Sequence, residues 1–127
     1  MQRLGLVTFV VPEYQAGIDF FVKSLGFRLV EDTPLGGGKR WVVVQPAGGG
    51  ARLLLARAVG PDQMAVIGNQ AGGRVAFFLE TDDFDRDHAA FSAAGVVFTQ
   101  PPRSEPYGKV AVFRDAFGNL WDLLQPA

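Results

Sequence analysis

Few residues in this chain have the chemistry to act on another molecule, and their types restrict what that action could be. There is no cysteine, which excludes thiolate catalysis, cysteine-ligated zinc and disulfides. His88 is the single histidine. It shares a helical phase with Phe84 and Phe91, so it falls at a core boundary rather than in a general-base position. The acidic stretch Thr81-Asp82-Asp83-Phe84-Asp85 resembles a cation site but stands where a helix begins. Hydroxyl and carboxylate groups there accept exposed amide hydrogens and oppose the helix dipole. The triplets Gly36-Gly37-Gly38 and Gly48-Gly49-Gly50 fit neither phosphate-binding glycine pattern and read as strand connections. Lys39-Arg40-Trp41 sets two cations and an indole at a strand start. That is either the rim of an anion or aromatic site, or a surface edge with one buried tryptophan. Arg74 and Asp122 are candidates because an internal repeat sets them at one structural level. A guanidinium and a carboxylate together can anchor a polar or anionic group, or act as electrophile and base.

The elements that must position these residues occur twice. Leu6-Val7-Thr8-Phe9-Val10-Val11 and Arg74-Val75-Ala76-Phe77-Phe78-Leu79 are both strand-like, rich in β-branched and aromatic residues. An amphipathic helix follows each, marked by Tyr14, Ile18, Phe21 and Leu25 in one and by Phe84, His88 and Phe91 in the other. Both helices stop at a glycine, Gly26 or Gly95, suited to a left-handed terminus. Short apolar strands follow, then Gly38-Lys39 and Gly108-Lys109 open longer ones. Finally Arg52-Leu53-Leu54-Leu55 is matched by Leu120-Trp121-Asp122-Leu123-Leu124. Six features in one order, roughly 68 to 70 positions apart, define a repeat. The expected architecture is a single α+β domain over residues 1–127. Two βαβββ modules, about 4–57 and 73–125, form a cupped, barrel-like mixed sheet with helices outside. The connector, 58–72, is long enough to be a lid or a passive linker; Gln63, Asn69 and Gln70 could line the opening.

Strand alternation then sorts the side chains. Val75, Phe77 and Leu79 should pack under a helix, with Arg74, Ala76 and Phe78 on the concave side. Likewise Leu53, Leu55, Trp121 and Leu123 go under the helices, while Leu54 and Asp122 face inward. The repeat matches Leu6 to Arg74 and Leu54 to Asp122, which puts these four on one structural level around a common cavity. Thr8, Trp41, Phe78 and Tyr107 complete the expected ligand-binding set, and Asn119 stands near the pocket mouth.

Composition fits this picture. A chain of 127 residues, 48% hydrophobic with 11 phenylalanines, can bury a core without staples. Its net charge of −1 provides no basic stripe for nucleic acid. No apolar run approaches the ~20 residues of a membrane span. The first residues lack the apolar stretch of a secretory leader, so a cytoplasmic protein is expected.

With Ile18-Asp19-Phe20-Phe21 leading to Leu25-Gly26-Phe27, and with the closing Asp115-Ala116-Phe117-Gly118-Asn119-Leu120-Trp121-Asp122-Leu123, nearly the whole chain resembles the vicinal oxygen chelate superfamily. That superfamily includes glyoxalase I, extradiol dioxygenases, fosfomycin-resistance proteins and bleomycin-binding proteins. The resemblance implies a homodimer. It also implies a divalent ion held by inward His or Glu side chains, at positions matching Leu6, Leu54, Arg74 and Asp122. Of these only Asp122 could coordinate, so no metal and no other cofactor is expected. The leading expectation is small-molecule binding anchored by Arg74 and Asp122, as a bidentate ion pair that stands in for the ion's charge. The alternative is a metal-independent lyase or isomerase, or a dioxygenase-like enzyme, with Arg74 as electrophile and Asp122 as base.

Overall fold

In the computed structural model, which describes residues 1–127, the chain divides into two units, Met1–Ile67 and Gly68–Ala127. The first carries β1 (Leu6–Val11), α1 (Tyr14–Ile18), a π-helical turn (Asp19–Ser24), β2 (Arg28–Gly36), β3 (Lys39–Gln45), β4 (Arg52–Arg57) and α2 (Gly60–Ala65). Its sheet runs β1-β4-β3-β2, with β1 parallel to β4. Phe9, Val11, Val42, Val44, Leu53 and Leu55 are buried on one face. Phe21 meets Phe9 edge-on at 5.1 Å, which docks the helical segment there. Burying each such side chain contributes about 1.5–3 kcal/mol.

The second unit carries β5 (Val75–Glu80), α3 (Phe84–Ala93), β6 (Val97–Phe98), β7 (Arg103–Glu105), β8 (Gly108–Arg114) and β9 (Leu120–Pro126). Its sheet runs β5-β9-β8-β6, with β7 also on β8 and β5 parallel to β9. Here the core is an aromatic ladder. Phe77 lies 4.5 Å from Trp121, Trp121 stacks 5.7 Å from Phe113, and Phe91 of α3 meets Phe113 edge-on at 5.6 Å. Such pairs add about 0.5–1.5 kcal/mol each beyond area burial.

The α+β class and the repeated βαβββ order are therefore present, as two sheets of four and five strands with no closed barrel. The copies differ where the sequence does. The counterpart of the continuous β2 is broken into β6 and β7, because Pro101 and Pro102 between them have no N–H to give to a ladder. The boundary between the units falls inside the expected connector, which also folds α2. No helix is long and apolar enough to cross a membrane.

Gly26 and Gly95 adopt φ of 72° and 89°, the left-handed conformation that lets each helix turn directly into a strand. The acidic stretch caps α3. Asp83 accepts from the Arg86 amide at 3.1 Å, and Thr81 Oγ1 accepts from the Asp83 amide at 3.0 Å. The Arg86 guanidinium donates to Asp82 and holds its carboxyl below the usual range. Replacing Asp83 by alanine should cost about 1 kcal/mol, read as a lower urea midpoint with an unchanged slope.

Candidate functional site

Position in the second unit's sheet starts at the turn before β9. Asp115 is buried, and its carboxylate accepts five hydrogen bonds. Three come from the backbone amides of Phe117, Gly118 and Asn119, one from Asn119 Nδ2 and one from Trp121 Nε1, all between 2.9 and 3.0 Å. A short acidic side chain followed by Ala-Phe-Gly-Asn closes such a turn by accepting from its own backbone. Asn119 is fully employed here. Its Oδ1 accepts from the Gln70 amide at 3.1 Å, so it is a structural residue rather than a pocket-mouth group. The turn sets where β9 begins and hence the register of Asp122.

In that register Asp122 lies opposite Phe78 on β5 and Val112 on β8. The bulge in β5 corrects the expected alternation. Pairing shifts between Val75 and Phe77, and one extra residue reverses the faces on its N-terminal side. Val75, paired with Leu120, therefore shares the face of Phe78 and Asp122, not the helix-facing side. The expected level of four is also displaced. Thr8, not Leu6, is opposite Leu54, and Leu6 pairs with Arg52. Phe78, not Arg74, is opposite Asp122, because Arg74 precedes β5 beyond the bulge.

Even so, Arg74 and Asp122 border the same hollow. It measures about 530 Å³ and is lined by Arg74, Val75, Phe78 and Asp122. Phe78 is 63% exposed while Asp122 is only 8% exposed. The bidentate ion pair expected between Arg74 and Asp122 does not form. Asp122 Oδ1 is instead buried without a hydrogen-bond partner. Burial pushes the Asp122 carboxyl above its ordinary value, opposed by the charge of Arg103. Most buried polar atoms in proteins are paired, so an orphaned carboxylate oxygen beside a hollow is a mark of a binding or acid–base site.

The other expected residues separate by unit. Leu6, Thr8, Trp41 and Leu54 share one face of the first sheet, as the pairings Thr8 with Leu54 and Leu54 with Val43 require. Trp41 is exposed on that face, contrary to the buried tryptophan of the surface-edge reading. Arg40 is committed elsewhere. It makes a two-bond contact with Asp32 at 3.0 and 2.6 Å and lies 5.3 Å over the Tyr14 ring. Tyr107 occupies the turn between β7 and β8, where its hydroxyl accepts from Arg103 at 3.4 Å. His88 is sandwiched between Phe84 at 5.5 Å and Phe98 at 4.1 Å, on the α3 side of the sheet. Gln63 closes the start of α2 by accepting from the Val59 amide. Two residues escaped the sequence reading, Val75 and Arg103. A bulge leaves no signature in a single strand of apolar residues, and Arg103 sits in the half of the repeat that proline had altered.

The donor chemistry does not fit a divalent ion at the four matched positions. Leucine has no lone pair to give, and a guanidinium stays protonated. Nowhere do three His, Asp or Glu side chains gather as a group that could hold a metal.

Comparison with known proteins agrees with the fold. The family model described as Glyoxalase/Bleomycin resistance protein/Dioxygenase superfamily matches residues 3–123. An uncharacterized protein of Shewanella frigidimarina is 54% identical over 98% of this chain and 93% of its own length. Among solved structures, UcmS2 superposes with a TM-score of 0.82 at 27% identity, covering 98% of both chains. TnmS3, an antibiotic binding protein from Streptomyces sp. CB03234, superposes at 0.79 with 31% identity, over 100% of this chain and 98% of its own.

Proposed function

The chain belongs to the Glyoxalase/Bleomycin resistance protein/Dioxygenase superfamily, and from that premise we propose that it binds a small organic molecule at the Arg74–Asp122 hollow without a metal ion. The observation that carries this reading is the orphaned Asp122 oxygen, buried next to a cavity whose other walls are apolar or cationic. Ligand pockets commonly combine an apolar lining with a few convergent polar groups. Phe78 and Val75 offer the apolar part here, and Arg74 and Asp122 the polar part. That a similar protein of this superfamily is an antibiotic binding protein supports the same class of function.

The test is a thermal-shift screen of organic compounds, because a molecule that binds only the folded state raises its midpoint. Arg74→Ala should lower the affinity of a hit at least about tenfold, the loss of one charge-assisted hydrogen bond, while the melting temperature without compound stays near that of the wild type. Unchanged affinity together with lost stability would remove Arg74 from the binding role.

A second reading is favoured by the raised Asp122 carboxyl. A carboxylate made more basic by burial suits proton abstraction, with Arg74 as the electrophile of a metal-independent lyase or isomerase. A hit that is chemically consumed on incubation would select this reading; a hit recovered intact would select binding. The proposal also includes a homodimer, supported by superfamily membership, and a cytoplasmic location. Light scattering that gives the 13.7 kDa of one chain would refute the dimer.

A further inference from the structure

Three side chains of the second unit depart from what the same residue types do elsewhere in the chain, and all three border one hollow. Phe78 is the only exposed phenylalanine of eleven. Its neighbour Phe77 packs 4.5 Å from Trp121, so the exposure belongs to the face Phe78 occupies and not to the strand. Asp122 Oδ1 is the one buried side-chain atom without a hydrogen-bond partner. Arg74 has neither an ion pair nor a side-chain hydrogen bond, whereas Arg40, Arg86 and Arg103 are each tied to a carboxylate at 3.1 Å or closer. A free cation, a free acceptor and an uncovered ring thus surround about 530 Å³ of space, together with Val75.

Each of the three sets a requirement. An ionised carboxylate only accepts, so the group against Asp122 Oδ1 must be an N–H or O–H donor. A guanidinium only donates, and its planar fork matches the two oxygens of a carboxylate. The flat face of Phe78 is best covered by a second ring, offset-stacked or edge-on. Burial decides where the ligand's charge sits. Asp122 is only 8% exposed, so an ammonium brought against it would lose its water at high cost, and a neutral donor is favoured. Arg74 is exposed, so an anion can meet it and keep part of its hydration. The same anion placed at Asp122 would face a like charge. The acid therefore points to Arg74 and the donor to Asp122.

We infer that the hollow takes an aromatic acid whose far end carries a neutral hydrogen-bond donor, such as a phenolic hydroxyl. The ring lies against Phe78 and Val75, the acid pairs with Arg74, and the donor satisfies the unpaired oxygen of Asp122. The inference rests on the binding role proposed above and adds the ligand's chemical class.

The experiment titrates matched two-ring probes into the full chain by calorimetry, with the NMR shift of the Phe78 amide to locate binding. Wild-type protein should bind 6-hydroxy-2-naphthoate at least about tenfold more tightly than 6-methoxy-2-naphthoate, which lacks the donor. The same margin should separate it from methyl 6-hydroxy-2-naphthoate, which lacks the charge; each analogue loses a hydrogen bond involving a charged group. 6-(Aminomethyl)-2-naphthoate, with an ammonium at the buried end, should also bind more weakly than the hydroxy acid. Arg74→Met should level the acid with its ester, and Asp122→Leu should level the hydroxy with the methoxy compound. Asp122→Asn keeps an acceptor oxygen without the charge, so it should shrink that second preference, and it supplies the readout if the leucine variant fails to fold. Equal wild-type binding of the hydroxy acid and its analogues overturns the inference. So does tighter binding of the ammonium compound, or either preference persisting unchanged in the folded variant meant to remove it. If no naphthoate shifts the Phe78 amide but a hit from the thermal-shift screen does, the ligand class is wrong and the binding role stands. If no compound of either set shifts it, both fall.

Discussion

Asp115→Ala is expected to cost about 3–4 kcal/mol of stability, the largest loss from any single polar residue of the second unit. The substitution removes the acceptor of five hydrogen bonds, three of them from backbone amides of the turn, while the Gly118 amide keeps the Asp115 carbonyl at 3.2 Å. Hydrogen bonds to a charged group contribute about 1.5–3 kcal/mol each, and an abandoned buried donor costs about 1–3 kcal/mol. The sum is not additive, since water can enter an opened turn. Losses above about 4–5 kcal/mol are exceptional, which sets the ceiling. A melting temperature lower by at least about 10 °C should accompany the change. Asp115→Asn should fall between, because one amide oxygen still accepts while the new NH₂ opposes Asn119 Nδ2 or Trp121 Nε1. The consequence reaches function through register. Asp115 ties the turn to the Trp121 indole, and Trp121 is the residue immediately before Asp122. A loss below about 1 kcal/mol in urea unfolding would show that the turn closes without its carboxylate.

How much of this was legible in the residues depends on which physical rule each element obeys. The repeat was legible because strand, helix, glycine stop and strand each leave a local signature, and the signatures occurred twice in order. The helix cap was legible for the same reason; Thr81, Asp83 and Arg86 act within a few residues of one another. The faces of β9 also followed from alternation, with Trp121 and Leu123 buried on one side and Asp122 on the other. Alternation failed at Val75 because a bulge is a property of two strands together, set by how β5 meets β9. Neither strand announces it alone. The predicted Arg74–Asp122 ion pair failed for a related reason. The repeat matched sequence positions, but pairing register decides which side chains come level, and Arg74 stands before the strand. Arg103 was illegible because its relation to Asp122 runs through two strand pairings, β7 on β8 and β8 on β9.

Asp122→Asn is expected to make the protein more stable at neutral pH and a poorer binder at once. Burial raises the carboxyl's pKa above its unfolded value of 3.8, with Arg103 opposing but not cancelling the shift. The folded state therefore holds this proton more firmly than the unfolded chain does. The sign follows: the group's contribution is fully present below the unfolded pKa and is lost as pH rises through the higher folded one. At neutral pH the wild type carries the cost of an ionised, partly unpaired buried carboxylate, and the amide removes the charge while leaving a polar atom in the same unpartnered place. The expected gain is therefore about 1 kcal/mol, the extra cost of a charged over a neutral unsatisfied group. It should shrink as pH falls and vanish below about pH 3.8, where wild type and variant are both neutral at this position. Urea unfolding of the two proteins across that range gives the difference directly. The binding arm separates the meanings of the result. A carboxylate kept for packing alone would leave the affinity of a thermal-shift hit unchanged on replacement, whereas one that receives a hydrogen bond from the ligand should lose at least about tenfold. Stability gained with affinity lost is the pattern of a site whose residue is retained against the interest of the fold. Stability lost at neutral pH would mean that Asp122 is already satisfied, and the hollow would then lack its anchor.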